Sequence, residues 1–269
     1  MERTPEDHDL GLAHDLPLLI NRRRALGLLA GGVGIAVAAC GSSEGGGAST
    51  KAATPTSTSA EVSEEIAEET AGPFPGDGSN GPNALSESGV VRNDITSSFG
   101  DASGKADGVS TTIDLTLLDV SGGGKPLAGA AVYLWHCDLA GRYSMYDAEV
   151  ESENYLRGVQ ESDADGKLSF TSIFPAAYPG RWPHIHFEVY ESVDAATSGS
   201  GKLRTSQIAL PQEACELVYA TVGYEQSVQT LAQTSLETDN VFSDGYAGQL
   251  ASWSGSADDG IALKLNVGV

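Results

Sequence analysis

Two histidines separated by one residue, His184 and His186, are the side chains in this sequence best placed to do chemistry together. The residues that follow, Phe187, Val189 and Tyr190, favour a β-strand. In a strand, side chains at i and i+2 point to the same face, roughly 6.5–7 Å apart along the chain. Both imidazoles can then reach one metal ion. The same pattern also fits two polar residues on a solvated strand face.

The segment before these histidines carries two more reactive groups, Tyr178 and Arg181. Prolines and a glycine between residues 179 and 183 predict a fixed, non-helical loop that could direct both side chains to one point. The chain has few other imidazoles to complete a metal site. Its five histidines are His8, His14, His136, His184 and His186. Another ligand type is therefore needed, and tyrosine is the candidate.

Composition limits the classes of partner. The chain of 269 residues is 40% hydrophobic, which is enough to bury one sizeable core. Its formal net charge is −22, and no cluster of Lys or Arg appears outside the N-terminal part. This charge argues against nucleic acids and anionic membrane surfaces as partners.

The N-terminal part predicts export. Residues 22–24 are three arginines, and an apolar run of about 15 residues follows, too short for a comfortable membrane span of about 20 residues. This arrangement resembles a twin-arginine signal over residues 1–39, and residues 37–40 resemble a bacterial lipobox ending at Cys40. We expect an extracytoplasmic lipoprotein whose only membrane contact is a lipid at Cys40. A plain cleaved signal and an uncleaved anchor are the alternatives.

Residues 40–69 are mostly small and polar or acidic, which predicts a flexible tether, so the folded domain is expected over residues 70–269. Within it, Ile113, Leu115 and Leu117 alternate with polar residues, as in a half-buried strand. Further strands are predicted at 130–136, 167–173, 184–190, 206–210 and 261–267, with short helices at 211–220 and 227–234. The pattern predicts an all-β protein, an antiparallel β-sandwich with a few short helices. The metal site would lie in loops and a strand at one edge.

Three motifs carry a resemblance to a known family. They are W-H-C-D-x-x-G-x-Y-S from Trp135, L-R-G-x-Q-x-x-D-x-D-G from Leu156, and Y-P-G-R-x-x-H-I-H-F from Tyr178. Together they resemble the intradiol ring-cleavage dioxygenases, the class containing catechol 1,2-dioxygenase and protocatechuate 3,4-dioxygenase. The resemblance covers roughly residues 70–269. Its motifs occur in order and with family-like spacing.

The resemblance implies that Tyr143, Tyr178, His184 and His186 are the four ligands of a non-haem Fe(III). Phenolate oxygens suit a hard ferric ion. The charge of the metal deprotonates phenols whose free pKa is about 10.

The resemblance also implies a reaction. A catechol-type diol displaces Tyr178, whose phenolate serves as a base, and O2 is inserted between the hydroxylated carbons to give a cis,cis-muconate-type product. Arg181 would stabilise negative charge on the substrate, and Gln207 matches a pocket glutamine of the protocatechuate enzymes. The alternative is a non-catalytic β-sandwich module that binds phenols or iron at the cell surface. A serine hydrolase is disfavoured because the chain has no G-x-S-x-G elbow.

Other polar and aromatic residues are predicted to have structural roles. His136 is expected to be a hydrogen-bonding residue beneath a turn, Trp135 a core residue, and Tyr133 and Tyr190 core residues of strands. Tyr146 and Tyr155 are expected near the site as pocket-lining residues.

Two further expectations concern Trp182 and the cysteines. Trp182 lies between Arg181 and the histidines, where it would narrow the mouth of the pocket. Cys137 and Cys215 are the only cysteines besides Cys40, and an even pair in an oxidising compartment predicts a disulfide.

Overall fold

The structure is a computed structural model that describes residues 64–269. The predicted export signal, the lipobox cysteine Cys40 and most of the predicted tether lie outside the described residues, so they stay predictions. Between residues 64 and 269, no helix is both long enough and apolar enough to cross a membrane.

Within residues 64–269, nine strands form two packed sheets. The first sheet contains β1 (Ser110–Asp119), β2 (Lys125–Pro126), β5 (Lys167–Ile173), β8 (Ser252–Ser256) and β9 (Gly260–Gly268). The second contains β3 (Ala131–Trp135), β4 (Arg157–Glu161), β6 (His184–Tyr190) and β7 (Lys202–Ala209), in the order β4-β3-β6-β7. The predicted β-sandwich is confirmed.

The first sheet is built around β1. Its burial alternates along the strand, with Ile113, Leu115 and Leu117 turned into the core, as the period of two requires. β1 pairs antiparallel with β5 and β2 but parallel with β9, from Thr111 opposite Ile261 onwards. This sheet is therefore mixed, whereas every pair in the second sheet is antiparallel.

The second sheet is covered on both faces. Every residue of β3 and β6 is buried. Ile185 and Phe187 on β6 face the main core between the sheets. His184 and His186 alternate with them and face the opposite side, where loops cover the sheet. The histidine pair therefore lies on the outer face of an inner strand, where that strand begins.

In the described part of the chain, three short α-helices lie outside the sheets: α1 (Val193–Ser198), α2 (Gln212–Tyr219) and α3 (Glu225–Leu231). α2 matches the helix predicted at 211–220 within one residue at each end, and α3 matches the helix predicted at 227–234 but begins two residues and ends three residues earlier. α1 was not predicted. It is capped by Ser192, whose Oγ accepts a hydrogen bond from Ala195 N at 3.1 Å, and it ends at Gly199 in the left-handed region, at φ 68°. A 3₁₀ turn covers Phe242–Asp244.

The folded domain was predicted to begin at residue 70, but residues before that position already pack against it. Ile66 is buried in the main core, and its backbone N–H donates to Gly268 O at 2.9 Å. Glu69 N donates to Thr205 O at 2.9 Å. Residues 64–76, here called the strap, therefore run along β7 and over the outer face of the second sheet.

The predicted disulfide between Cys137 and Cys215 is wrong for this structure. Both are free, buried thiols. Cys137 belongs to the cluster on the outer face of the second sheet and donates to Ala176 O at 3.7 Å, whereas Cys215 packs in the main core on α2. Burial raises the pKa of both thiols.

Candidate metal centre and substrate site

Four predicted site residues meet at one point on the outer face of the second sheet. Tyr178 Oη lies 3.0 Å from His184 Nε2, and His184 Nε2 lies 3.1 Å from His186 Nε2. Tyr143 Oη lies 3.4 Å from Tyr178 Oη. The structure thus brings two imidazoles from one strand together with two phenols from two loops.

The two imidazoles are held rigidly. His184 Nδ1 lies 2.6 Å from the Trp182 carbonyl, which can only accept, so Nδ1 carries the proton and Nε2 presents a lone pair to the site. The His186 ring stacks on Trp135, with centroids 5.0 Å apart and planes 3° from parallel. Among the described residues, His186 Nδ1 has no hydrogen-bond partner.

Tyr143 is positioned by the loop that follows β3. Asp138 organises its first turn, because Oδ1 accepts from Ala140 N at 2.9 Å and from Arg142 N at 3.0 Å. Tyr143 N then donates to Asp147 Oδ2 at 2.6 Å. Met145, just past Tyr143, has φ 72°, a left-handed backbone conformation uncommon outside glycine.

Arg181 and Gln207, the two other predicted site residues, contact each other. Arg181 Nη2 donates to Gln207 Oε1 at 2.7 Å, and Nη1 lies 3.4 Å from His184 Nε2. Gln207 lies directly opposite His186 in the β6–β7 ladder, and its Nε2 donates to Thr70 O at 2.8 Å. The guanidinium therefore reaches the point where the four ligand candidates meet.

Burial shifts the acid–base properties of all four ligand candidates towards the neutral form. It lowers the pKa of His184 and His186 well below the usual value, and the nearby Arg181 charge adds to this effect. It raises the pKa of Tyr143 well above the usual value and that of Tyr178 to about 12, although Arg181 opposes the rise at Tyr178. Both imidazoles are thus in the form that binds metals, while the phenols need a cation nearby to ionise.

The donor set fits a metal ion. Donor atoms about 2.0–2.2 Å from one first-row ion, as in zinc sites, lie about 3–3.6 Å apart, and the three adjacent pairs here are 3.0–3.4 Å apart. A cation would also use the His184 lone pair that faces His186. Within residues 64–269, the His, Cys, Asp and Glu side chains form no group of three able to hold a metal. The two phenols are therefore needed to complete the set, and two phenolates suit Fe(III).

A cleft of about 290 Å³ is lined by Tyr178 but by neither histidine, and its walls also include Leu139, Ala140, Ala177, Pro179 and Gly223. Trp182 does not line this cleft and its side chain is buried, so the predicted narrowing of a pocket mouth by Trp182 is wrong. Trp182 is buried against Ala209 and Phe242, and its Nε1 donates to Leu210 O at 2.9 Å. The main chain turns its indole into the core rather than towards the cleft.

Several predicted structural roles are confirmed. His136 Nδ1 contacts Cys137 O at 2.8 Å and Nε2 contacts Ser172 Oγ at 2.7 Å, so both ring nitrogens are engaged away from the site. Trp135, Tyr133 and Tyr190 are buried in the cluster on the outer face of the second sheet.

The two tyrosines expected to line a pocket instead use their hydroxyls in the surrounding loops. Tyr146 Oη accepts from Gly76 N at 2.8 Å, and Tyr155 Oη donates to Asp138 at 3.3 Å. Tyr146 also packs against Phe74 of the strap, which contacts Tyr143.

Sequence reasoning missed Asp239 and Arg157. Asp239 is buried and binds Arg181, with Oδ2 2.9 Å from Nε. Arg157 is buried and donates to Phe74 O, Pro75 O and Ser144 O, so it joins the strap to the Tyr143 loop. Arg157 lies within a quoted motif, but Asp239 lies in a stretch where no pattern marks it.

Comparisons with known proteins agree with these observations. The family model described as "Dioxygenase" matches residues 80–196. The chain is 44% identical over 55 residues to catechol 1,2-dioxygenase 2 of Acinetobacter lwoffii, covering 20% of each protein. It is 35% identical over 79 residues to the protocatechuate 3,4-dioxygenase beta chain of Burkholderia cepacia, covering 25% of this chain and 34% of that one. The matches thus span only a fifth to a third of these relatives' length.

Solved structures share the fold, and one of them illustrates the likeness. The intradiol ring-cleavage dioxygenase from Tetranychus urticae superposes with a TM-score of 0.54 at 24% identity, covering 68% of this chain and 87% of that one.

Proposed function

Since the chain belongs to the intradiol ring-cleavage dioxygenase family, we propose that it is an active enzyme of this class. Its substrates are catechol-type diols and O2, and its products are of the cis,cis-muconate type. Its cofactor is a non-haem Fe(III) held by Tyr143, Tyr178, His184 and His186. The observation that carries this proposal is the convergence of these four donors, whose adjacent pairs are 3.0–3.4 Å apart.

When bound, the ferric ion acts as a Lewis acid and template for the diol and O2. The residues around it supply the remaining requirements. His184 and His186 stay neutral because they are buried, and the Trp182 carbonyl fixes the His184 tautomer. Tyr143 is enclosed by Phe74 and Tyr178, which keeps water from its oxygen.

Tyr178 is the ligand best placed to move and to take a proton. It is only partly buried, and it lines a cleft that neither histidine lines, which gives its side chain space to move. Burial raises the pKa of this phenol, which favours its phenolate as an acceptor of a proton from a diol hydroxyl at Oη.

Arg181 and Gln207 orient the substrate. The guanidinium lies beside His184 and is a fixed positive charge next to the place where the diol loses its protons. A positive charge in a site with little water stabilises negative charge that develops on the ring. Gln207 holds Nη2 of Arg181 and ties it to the strap through Thr70 O.

We also propose that the enzyme works outside the cytoplasm. The support comes from residues 1–39 and Cys40, whose sequence is typical of an export signal ending in a lipobox. Globomycin, which blocks lipoprotein signal cleavage, should cause the uncleaved form to accumulate; an unchanged mass would contradict lipidation.

The test is oxygen uptake by the iron-loaded protein against catechol, protocatechuate, hydroxyquinol and chlorocatechols, with product spectra in the ultraviolet. We expect uptake with at least one diol and incorporation of both atoms of ¹⁸O2 into a ring-opened diacid. Tyr155→Phe, which lies outside the donor set, should keep activity, whereas His186→Ala should lose it. A wild-type protein that binds diols or iron without oxygen uptake would point to the non-catalytic binding module.

A further inference from the structure

We infer that Asp239 is a positioning residue that fixes the guanidinium of Arg181 for ring cleavage. The inference rests on the proposed function, because Arg181 matters to the reaction only if a diol is cleaved at this site. Asp239 itself touches none of the four ligand candidates in the contacts described. The proposed effect on the reaction is exerted through Arg181.

The contact between Asp239 and Arg181 engages two nitrogens along one edge of the guanidinium. Oδ2 accepts from Nε at 2.9 Å, and Oδ1 accepts from Nη2 at 3.3 Å. A carboxylate that accepts from two nitrogens in this side-on manner sets the plane of the guanidinium as well as its position. The Asp239 side chain is fully buried and that of Arg181 is 14% exposed, so solvent screens the pair little.

Asp239 is itself held by the backbone. Oδ1 accepts from Val241 N at 2.8 Å and from Phe242 N at 3.1 Å, at the start of the 3₁₀ turn. Oδ2 accepts from Trp182 N at 2.6 Å. The carboxylate is therefore fixed by the residue next to Arg181 and by a turn far along the chain, and it cannot follow a moving guanidinium.

The remaining nitrogens of Arg181 point towards the chemistry. Nη2 also donates to Gln207 Oε1 at 2.7 Å, and Nη1 faces His184 Nε2 at 3.4 Å. With Nε and Nη2 occupied by Asp239 and Gln207, Nη1 is the nitrogen left to face a substrate. An arginine without this hold has several rotatable bonds, and a misplacement of about 1 Å can lower a rate about a hundredfold.

A double-mutant cycle separates positioning from a structural role. We expect Asp239→Asn to lower kcat about ten- to a hundredfold when Arg181 is present, with a smaller change in KM. In an Arg181→Ala background, the same change should alter kcat less than about twofold, because the group through which Asp239 acts is absent. Asp244→Asn, an exposed carboxylate of the adjacent 3₁₀ turn, is the matched control and should leave kcat unchanged.

A second measurement does not depend on activity. In the full chain loaded with diamagnetic Ga(III), the Nε–H proton of Arg181 should exchange slowly with solvent in NMR spectra, and it should exchange at least about tenfold faster in Asp239→Asn. If Asp239→Asn does not fold, Asp239→Glu keeps the charge and displaces it by one methylene, and it should lower kcat in the same Arg181-dependent way.

Equal losses of kcat in both backgrounds, or unchanged exchange of the Arg181 Nε–H, would overturn the inference. Absence of ring cleavage by the wild-type protein would overturn the proposed function instead. If the Arg181 Nε–H of that wild-type protein also exchanged fast, the positioning by Asp239 would be overturned as well. The two failures are thus distinguishable.

Discussion

Gly72 of the strap leaves room for the His186 ring. Its φ is +70°, and a Cβ placed on it would lie 3.2 Å from His186 Cε1. We expect Gly72→Ala to weaken iron binding about tenfold, because the ring must shift away from its stacked position on Trp135. It should also cost about 1–2 kcal/mol of stability through the left-handed backbone. Iron titration and urea unfolding measure the two effects.

Gly81 offers a matched control. Its φ is +99°, and a Cβ there would have no neighbour within 4 Å. Gly81→Ala should show the backbone cost but leave iron affinity as in the wild type. Equal loss of iron affinity in the two variants would contradict a specific contact between Gly72 and His186.

Glu69 gives the domain a dependence of stability on pH. Burial, with Asp244 and Asp239 nearby, raises its pKa from 4.5 to about 7, although Gln249 and Arg181 act in the opposite direction. A carboxyl whose folded pKa is raised binds its proton more tightly when folded. Its contribution to stability is therefore full below about pH 4.5, falls between about pH 4.5 and 7, and is constant above.

We expect Glu69→Gln to remove this part of the decline, so that the free energy of unfolding changes less between pH 5 and 7 than in the wild type. Urea unfolding at several pH values measures the slope. Glu64→Gln, an exposed glutamate of the same strap, should leave it unchanged. A Glu69→Gln slope equal to that of the wild type would exclude Glu69 as its source.

Residue spacing predicted part of this site and could not predict the rest. His184 and His186 were identifiable because a strand places alternate residues on one face. Tyr143, Tyr178, Arg181 and Gln207 were assigned by resemblance, and the structure brings them to the same place. Asp239 is 58 residues from Arg181, and no local pattern encodes a contact that depends on how distant loops pack.

At the scale of elements, Arg157 at the start of β4 connects the strap with the Tyr143 loop. It is buried and donates to the carbonyls of Phe74, Pro75 and Ser144. We expect Arg157→Met to cost about 3 kcal/mol or more, because several buried carbonyls lose a donor. Urea unfolding measures the loss, and proteolysis within the strap should become faster.

The matched control is Lys264→Met on β9. Lys264 Nζ lies 3.9 Å from Asp114 Oδ2 and its side chain is 63% exposed, so the change should cost about 0–1 kcal/mol. An Arg157→Met variant as stable as this control would show that the strap does not depend on Arg157.

Elements differed in how far the sequence revealed them. β1 alternates cleanly because one of its faces is in the core, and the alternation of Ile113, Leu115 and Leu117 identified it. Residues 64–69 have a composition typical of a tether, yet Ile66 fills the core and the backbone pairs with β7 and β9. α1 depends on the Ser192 cap and Gly199, a short signal without an apolar face.

At the scale of the whole molecule, the two free thiols report on the integrity of the core. Cys137 and Cys215 lie in different clusters, and both are buried. In a Cys40→Ser background, we expect two thiols per chain to react with a thiol reagent after denaturation without reductant. In the native protein, both should react only as fast as the domain unfolds. If the two thiols reacted with the reagent only after reduction, the result would support a disulfide between Cys137 and Cys215 instead.

The overall architecture was predictable because strands separated by turns have few ways to bury one apolar face each. The parallel pairing of β1 with β9 was not, since it joins residues about 150 positions apart and strand composition does not record the direction of a partner. The disulfide prediction failed because a count of cysteines does not show which of them lie close together in the fold.

The most direct test of the ferric site is the visible spectrum of the protein with one equivalent of Fe(III), recorded for the wild type, Tyr143→Phe, Tyr178→Phe, the double variant that combines these two changes, and Tyr155→Phe. We expect a broad visible band from tyrosinate-to-iron charge transfer in the wild type and in Tyr155→Phe. The band should be weaker in each of the other two variants and absent from the double variant. An iron-bound wild type without this band, or a double variant that keeps it, would contradict the assignment of Tyr143 and Tyr178 as ligands.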